Sequence, residues 1–518
     1  MIDRSRRGFL ADVGRGMLVA SVGPAVAVDM GLSSARADET ADNRLTFGEM
    51  EPLVSLMQET PPEKLMPLLV QRLDQGASLR TLVAAGALAN ARTFAGEDYI
   101  GFHTFMALSP AYEMSRELPE ALRPLPVLKV LYRNASRMQA QGGCKHEHLH
   151  PVEPAALPPG RNGGELLQEL VRKGDGTGAE RAFAAMVQGP VGEAYQHLQY
   201  EIQDEINVHR VVLSWRAWTM LDIAGQQYAD TLLRQSVRFC LDEERRLTDK
   251  QGHRRGTNIR DQLPKLIDQY KLLSHPLGTR RAEDGWIEQF SNTIYAASPT
   301  RAADAAAAAL AEGISPESIG EALSLAANSL VLHDVGRRQA QPDKPLGSVH
   351  GDSVGVHASD AANAWRNIAR VSNQRNTAAS LIVGAFHTAG QSGGLKPQAY
   401  PLPEQLSEVT VSDPAALVDQ LSDAIRQKDQ FRATAVAARY GQLGGQPRPI
   451  FDLLLGFATS EDGALHAEKY YRTVSEEFGQ MRPAFRWRQL VALARVTASE
   501  YGKPAPGYAQ AKGLLKIS

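Results

Sequence analysis

The spacing of apolar and polar residues predicts an all-helical chain. Apolar residues recur at intervals of three and four, and no sustained alternation, the mark of a half-buried strand, interrupts them. Helix starts are marked by a capping side chain before proline, as in Ser-Pro-Glu at 315–317 and Ser-Asp-Pro at 412–414. We therefore expect an all-α fold. One stripe of a buried helix face is formed by Ile319, Leu323, Ala326 and Leu330.

The chain also resembles itself at a shift of about 255 residues, far longer than the period of a solenoid repeat. This shift predicts an internal duplication and a two-lobed protein, with helical lobes at 46–250 and 285–503. A charged linker over 251–284 would join the lobes, and a tail over 504–518 would follow. Four pairs share the shift: His103 with His357, His209 with His466, Pro190 with Pro447, and Arg234 with Arg488.

The second predicted lobe has the longer loop before its shared histidine. Between Gly313 and His357 lie 43 residues, whereas 26 lie between Gly76 and His103. The extra residues fall around 335–352. Long loops inside compact domains are often functional.

Histidines beside this loop are the main candidates for chemistry. His350 lies in the loop, and His357 lies on the second turn of a helix for which Asp352 or Ser353 is the cap. Antiparallel packing would bring the ends of neighbouring helices, which carry two further histidines, to the same place. The sequence therefore predicts a transition-metal site, and a nitrogen-rich donor set without cysteine suits Fe, Cu or Zn. Its predicted ligands are His333, His350, His357, His387 and Asp352.

Packing offers an alternative interpretation of these histidines. A single histidine on an apolar face is often a hydrogen-bonded core residue, and His333 and His387 suit helix C-termini whatever their role. His209 and His466 are interpreted as repeated structural residues. The alternating histidines of residues 146–150 can bind metals, although a solvent-exposed loop is the favoured interpretation of that segment.

Composition narrows the function without identifying it. The 518 residues carry a formal net charge of −2, so the sequence lacks the excess of basic residues that is typical of nucleic-acid-binding proteins. Two cysteines, Cys144 and Cys240, exclude a disulfide scaffold and a cysteine-rich metal module, while one bridge between them stays open. Walker, Rossmann, nucleophile-elbow and H-E-x-x-H motifs are absent from the sequence.

The N-terminus predicts export. Residues 5–10, Ser-Arg-Arg-Gly-Phe-Leu, resemble the twin-arginine motif, and Ala-Arg-Ala at 35–37 fits a cleavage site after an apolar run over 17–28. We expect a signal peptide over 1–37, the twin-arginine export machinery as a partner, and a mature protein that is periplasmic or secreted. The apolar run is too short to span a bilayer, and the sequence has no other long apolar stretch. The mature chain should therefore have no integral membrane segment.

Paired helical halves with histidines near helix ends, such as His103 and His357, resemble the questin-oxidase-like proteins. These are all-helical oxygenases that hold a non-haem metal with histidines, and the likeness covers most of the mature chain. It is architectural and assigns no residue. The resemblance implies metal-dependent oxidation as the first reaction class to test. Together with the export signal, it makes an exported metal-dependent oxidoreductase that acts on a small molecule the favoured prediction. The alternative is a non-catalytic envelope protein whose duplicated helices form a binding groove.

Overall fold

The computed structural model describes residues 44–249, 251–341, 344–393 and 395–517. The predicted signal peptide over 1–37 lies outside the described residues. The all-α prediction is confirmed, since the described residues form 23 α-helices and their extended pairing is limited to isolated bridges. Residues from Thr46 onward form one compact unit. None of the described helices is both long and apolar enough to cross a membrane.

Ten helices precede the predicted linker. They are α1 (Glu51–Glu59), α2 (Pro62–Asp74), α3 (Leu79–Phe94), α4 (Tyr99–Glu117), α5 (Pro124–Ala140), α6 (Gly163–Arg172), α7 (Gly176–Val187), α8 (Val191–Ile202), α9 (Val208–Ala224) and α10 (Ala229–Leu247).

Thirteen helices follow, of which the first falls within the predicted linker. They are α11 (Ile259–Gln269), α12 (Asp284–Ala296), α13 (Pro299–Ala311), α14 (Pro316–Leu332), α15 (Val354–Val371), α16 (Gln374–Thr388), α17 (Pro403–Ser407), α18 (Pro414–Arg426), α19 (Gln430–Gln442), α20 (Pro447–Ser460), α21 (His466–Gln480), α22 (Pro483–Glu500) and α23 (Tyr508–Leu514).

The local sequence signals account for several helix starts. Ser315 caps α14 by accepting a hydrogen bond from the backbone N–H of Ser318, and Asp413 caps α18 in the same way. At α15 the cap is Ser353, whose hydroxyl accepts the Val356 N–H. Asp352 therefore does not cap this helix, which settles one of the two alternatives that the sequence leaves open.

The helix order of the first predicted half recurs in the second. The run from α3 to α10 has a counterpart in α14 to α16 followed by α18 to α22. The duplication itself stays a prediction, because a shared helix order does not establish a common origin. The loop between α14 and α15 covers 333–353, whereas the loop between α3 and α4 covers only 95–98, as the sequence predicts.

Four helices form the centre of the unit, two from each predicted half. Helix α4 packs against α9 and α21, and α15 packs against the same two helices. The four helices thus close a ring of contacts, and each of them carries one histidine within its first two turns. The predicted halves therefore meet where their histidines lie. Cys144 is exposed and Cys240 is buried, and the two do not form a disulfide with each other.

Candidate functional site

The four histidines of the central helices lie together in one cluster. His103 of α4 lies 4.7 Å, centroid to centroid, from His209 of α9, which lies 5.8 Å from His357 of α15. His466 of α21 closes the ring at 5.3 Å from His357 and 5.4 Å from His103. We call these four residues the histidine ring. The pairs that the sequence shift aligns, His103 with His357 and His209 with His466, lie on its diagonals.

Each imidazole of the histidine ring has a buried Nε2 atom that finds no hydrogen-bond partner among the described residues. The other nitrogen of His103, Nδ1, lies 2.6 Å from the carbonyl oxygen of Tyr99, one helical turn earlier. The His357 side chain makes the corresponding contact with the backbone of Ser353. A carbonyl holds the proton on Nδ1 and leaves a bare lone pair on Nε2. This hydrogen bond is the one that metal-binding histidines usually make with their second nitrogen.

Burial keeps the histidine ring uncharged. Loss of solvation, reinforced by the positive charge of Lys469, lowers the pKa of His357 to about 4 and that of His209 to about 3. The same two causes place the pKa values of His103 and His466 well below the ordinary value. The helix N-termini act in the same direction, because their partial positive charge opposes an imidazolium. All four rings are therefore neutral near pH 7, which is the form that binds metals.

The spacing of the rings approaches that of a metal site. A nitrogen–metal bond near 2.1 Å puts a ring centroid about 3.2 Å from the ion, so adjacent centroids lie about 4.5 Å apart at a right angle and about 5.2 Å apart at the tetrahedral angle. The 4.7 Å edge lies within that span, the 5.3 and 5.4 Å edges are slightly longer, and the 5.8 Å edge between His209 and His357 is longer still. Within the described part of the chain, no group of three or more His, Cys, Asp or Glu side chains is arranged to hold a metal ion. Ligation therefore requires the imidazoles to turn toward a common point.

A cavity of about 460 Å³ lies against one side of the histidine ring. Two ring members, His103 and His466, form part of its wall, and the long loop before α15 contributes His350 and Asp352. This volume is within the usual range for small-molecule sites. Apolar lining comes from Tyr99, Ile100, Ala140, Ala464 and Leu465, and charged lining comes from Arg133, Arg137, Lys344, Asp352, Asp462, Glu500 and Lys503.

Most of the charged lining is internally paired. Arg133 forms an ion pair with Asp462, and Lys344 donates to Asp352 at 2.5 Å. Arg137 donates to Asp98 at 2.8 Å, behind the cavity wall. Glu500 differs, since the basic group within 4.0 Å of it among the described residues is the His350 ring, at 3.9 Å, whose pKa burial lowers to about 4. The loop before α15 thus brings an imidazole to the wall where the end of α22 places a weakly paired carboxylate.

Only part of the predicted metal site lies at the histidine ring. His357 belongs to it, and His350 lines the adjoining cavity with its Nε2 buried and without a partner. Asp352 also lines the cavity, where its carboxylate accepts from Lys344 and Arg337, which lower its pKa against the effect of burial.

The other two predicted ligands lie outside the histidine ring. His333 contacts the carbonyl oxygen of Lys396 through Nδ1 at 2.8 Å and packs against Tyr295. His387 faces Trp365, whose indole N–H lies 3.3 Å from its Nδ1. Both therefore have local partners of the kind that the packing interpretation describes.

Three members of the histidine ring, His103, His209 and His466, are absent from the set of ligands predicted from the sequence. The shift of about 255 residues identifies them as repeated positions, and it is the sequence signal that could have added them to that set. The histidines of residues 146–150 form a separate surface feature, in which His148 lies 3.4 Å from Glu97.

Comparison of the chain with protein-family models, with curated proteins and with solved structures finds no match. The resemblance to the questin-oxidase-like proteins therefore stays a prediction, and the histidine ring with its cavity is the basis for assigning a function.

Proposed function

We propose that this protein is an exported metal-dependent oxidoreductase. In this proposal the histidine ring binds one transition-metal ion, and the adjoining cavity holds the small molecule on which the metal acts. The observation that carries the proposal is the set of four buried Nε2 atoms without hydrogen-bond partners, contributed by four different helices.

Unpaired nitrogens in such a cluster favour a bound cation. A buried acceptor without a donor costs about 1–3 kcal/mol, and backbone contacts hold at least His103 and His357 in the form whose Nε2 is a bare lone pair. Hydrogen bonds among the rings would need Nε2 protons on His209 and His466, because His103 and His357 lack them. A metal ion would satisfy several lone pairs at once if the rings turn toward a common point.

Four neutral imidazoles favour iron or copper over zinc. Catalytic zinc usually keeps three protein ligands and an open fourth position, whereas four protein ligands close a tetrahedral zinc site. Iron and copper accept imidazole and take more than four ligands, which leaves positions open toward a cavity. A redox metal beside a small-molecule cavity makes oxidation the first reaction class to test.

Two features oppose a bound cation. The helix N-termini that carry the histidines are partially positive, and Lys469 is buried close enough to lower the pKa of all four histidines. Burial lowers the pKa of Lys469 itself to about 8, against the attraction of Asp360. Asp360 therefore offsets part of this positive field.

Metal content of protein purified without an affinity tag tests the proposal. We expect close to one equivalent of iron or copper in the wild type, and a sharp loss in His357→Ala, because a buried site loses a bond and its geometry together. The His148→Ala variant is the matched control, since His148 is a histidine of a surface loop outside the histidine ring. Chelation should lower the melting temperature of the wild type and leave that of His357→Ala unchanged.

The proposal would be contradicted if wild-type protein holds no metal after reconstitution and its melting temperature does not change with chelator. The cavity would then favour the non-catalytic binding protein that the sequence also allows. Export is a separate part of the proposal and rests on residues 1–37 alone. The twin-arginine route carries folded proteins, many with their cofactor in place, which suits a metal site buried among helices.

A further inference from the structure

We infer that Glu500 is the proton acceptor for a neutral, hydroxyl-bearing small molecule with an apolar body, bound in the cavity, and that His350 hydrogen-bonds the same molecule. This inference rests on the proposed function only in using the same cavity, and it does not require the metal.

Glu500 is held in place without being neutralised. It is the last residue of α22 and is 9% exposed. Its Oε1 accepts the backbone N–H of Gly351 at 2.7 Å, which fixes the carboxylate against the loop before α15. No Lys or Arg of the described chain forms an ion pair with it within 4.0 Å. The partial negative charge of the α22 C-terminus also disfavours its ionised form.

The surroundings of Glu500 suit it to proton transfer near neutral pH. Burial raises its pKa to about 7, with the Gly351 N–H and Lys129 acting in the opposite direction and Asp352 and Glu468 adding to the rise. A carboxyl group that titrates near the working pH is an efficient general acid or base. Raised carboxyl pKa values at cavity walls are typical of functional sites.

His350 offers the second polar contact. Its side chain is 6% exposed, its Nε2 is buried without a partner, and its Nδ1 lies 3.9 Å from Glu500 Oε1. Burial, helped by Lys344, lowers its pKa to about 4, so the ring is neutral above pH 5. A ligand hydroxyl between these two groups would find an acceptor on Glu500 and an imidazole nitrogen beside it.

The remaining lining defines the ligand class. Arg133 and Lys344 are already paired with Asp462 and Asp352, so the cavity has little uncompensated charge with which to hold a strong anion. Tyr99 and Ile100 line the cavity and are 59% and 45% exposed. Such apolar side chains in a cavity wall suit an apolar body.

The proton step needs no further reactant. The ligand O–H bond breaks, a new O–H bond forms on the Glu500 carboxylate, and the electron pair stays on the ligand oxygen as an oxyanion. With bound metal, this oxyanion would be more electron-rich than the hydroxyl, which favours its oxidation.

The probe for the test is 2-naphthol, a neutral molecule whose hydroxyl becomes strongly acidic on excitation. Bound away from bulk water, it emits as naphtholate only where a nearby group accepts the proton. We expect naphtholate emission from the wild-type complex at pH 8, with the Glu500 carboxylate as the proton acceptor. Glu500→Gln, which keeps an oxygen for the Gly351 N–H, should bind the probe and show only naphthol emission at the same pH.

Three controls make the outcomes distinct. Glu461→Gln, a change at a carboxylate that lies outside the cavity lining and accepts the backbone N–H groups of Gly502 and Lys503, should behave as wild type. The probe 2-methoxynaphthalene, which lacks the hydroxyl, should bind wild type and Glu500→Gln equally. His350→Ala should weaken binding of 2-naphthol by roughly fivefold, the worth of one hydrogen bond, and leave 2-methoxynaphthalene unaffected.

Naphtholate emission from Glu500→Gln equal to wild type would overturn the role of Glu500. Failure of both naphthalenes to bind wild type would overturn the ligand class. The measurements are made on protein as purified and again after chelation. Glu500-dependent emission that persists after chelation would support this inference whether or not the purified protein holds metal, and the metal content of the purified protein separately decides the metal proposal.

Discussion

Acid should destabilise the metal-free protein through the histidine ring, and His209→Phe should remove a measurable part of that effect. His209 packs among aromatic rings, 5.1 Å from Phe102 and 5.5 Å from Tyr99, so phenylalanine keeps the ring contacts. Burial and Lys469 lower the pKa of His209 from 6.5 to about 3. Unfolding exposes the ring and returns its pKa to the ordinary value.

The sign follows from proton uptake. Between pH 6.5 and about 3 the unfolded state binds a proton at His209 that the folded state does not bind. The free energy of unfolding therefore falls by about 1.4 kcal/mol per pH unit for this one residue, and by about 5 kcal/mol at most over the whole window. Above pH 6.5 both states are neutral and the contribution is absent. A loss of this size is a large part of typical domain stability.

Two buried carboxyl groups act in the opposite direction. The pKa values of Glu201 and Glu500 are raised by burial to about 8 and about 7. Their folded forms bind protons more tightly than their unfolded forms, so they add stability as the pH falls from 8 toward 4.5. This opposing effect is common to wild type and variant, and it cancels in the comparison between them.

Urea unfolding of chelator-dialysed protein at pH 7, 6 and 5 measures the effect. Between pH 6 and 5 we expect the slope of unfolding free energy against pH to be smaller in His209→Phe than in wild type by about 1.2 kcal/mol per pH unit, close to one proton, and the difference should shrink toward pH 7. His148→Ala should keep the wild-type slope, because His148 is 41% exposed. Equal slopes for wild type and His209→Phe would refute the description of His209 as a buried neutral imidazole.

Two further predictions concern the loop before α15 and the N-terminus. Gly351→Ala should lower stability by about 1–3 kcal/mol and reduce bound metal, because the new Cβ would lie 2.1 Å from the Cβ of His466. Gly192→Ala, with open space at its Cβ position, is the control in thermal melts and metal analysis, and unchanged metal in Gly351→Ala would argue against His466 as a ligand. Replacing Arg6 and Arg7 by lysine should trap folded precursor in the cytoplasm, and normal export of that variant would remove the signal assignment.

Local sequence was sufficient for the helices. Helix starts depend on apolar spacing, on capping residues such as Ser315 and Asp413, and on the prolines that follow them. These signals act within one or two helical turns, so they can be read directly from the sequence. The long loop before α15 was equally visible, as a difference in residue count between two similar segments. These features depend on neighbours in sequence, which a single sequence contains.

The histidine ring depends on neighbours in space. The sequence aligned His103 with His357 and His209 with His466, yet the predicted ligands came from one half alone, because helix ends within a half were the only proximity that the sequence supplied. The packing of α4, α9, α15 and α21 across the two halves decided the outcome. It placed the aligned pairs on the diagonals of one buried ring and left His333 and His387 with local partners.

The sequence by itself therefore determined that the chain is helical, where its helices begin, and which histidines share equivalent positions. The tertiary structure decided which of those histidines meet, which carboxylate has no Lys or Arg partner among the described residues, and where a cavity of about 460 Å³ lies against them. The physical reason is that helix formation is driven by contacts three and four residues apart. Burial, pKa and ligand geometry instead depend on side chains that come together only when distant helices pack.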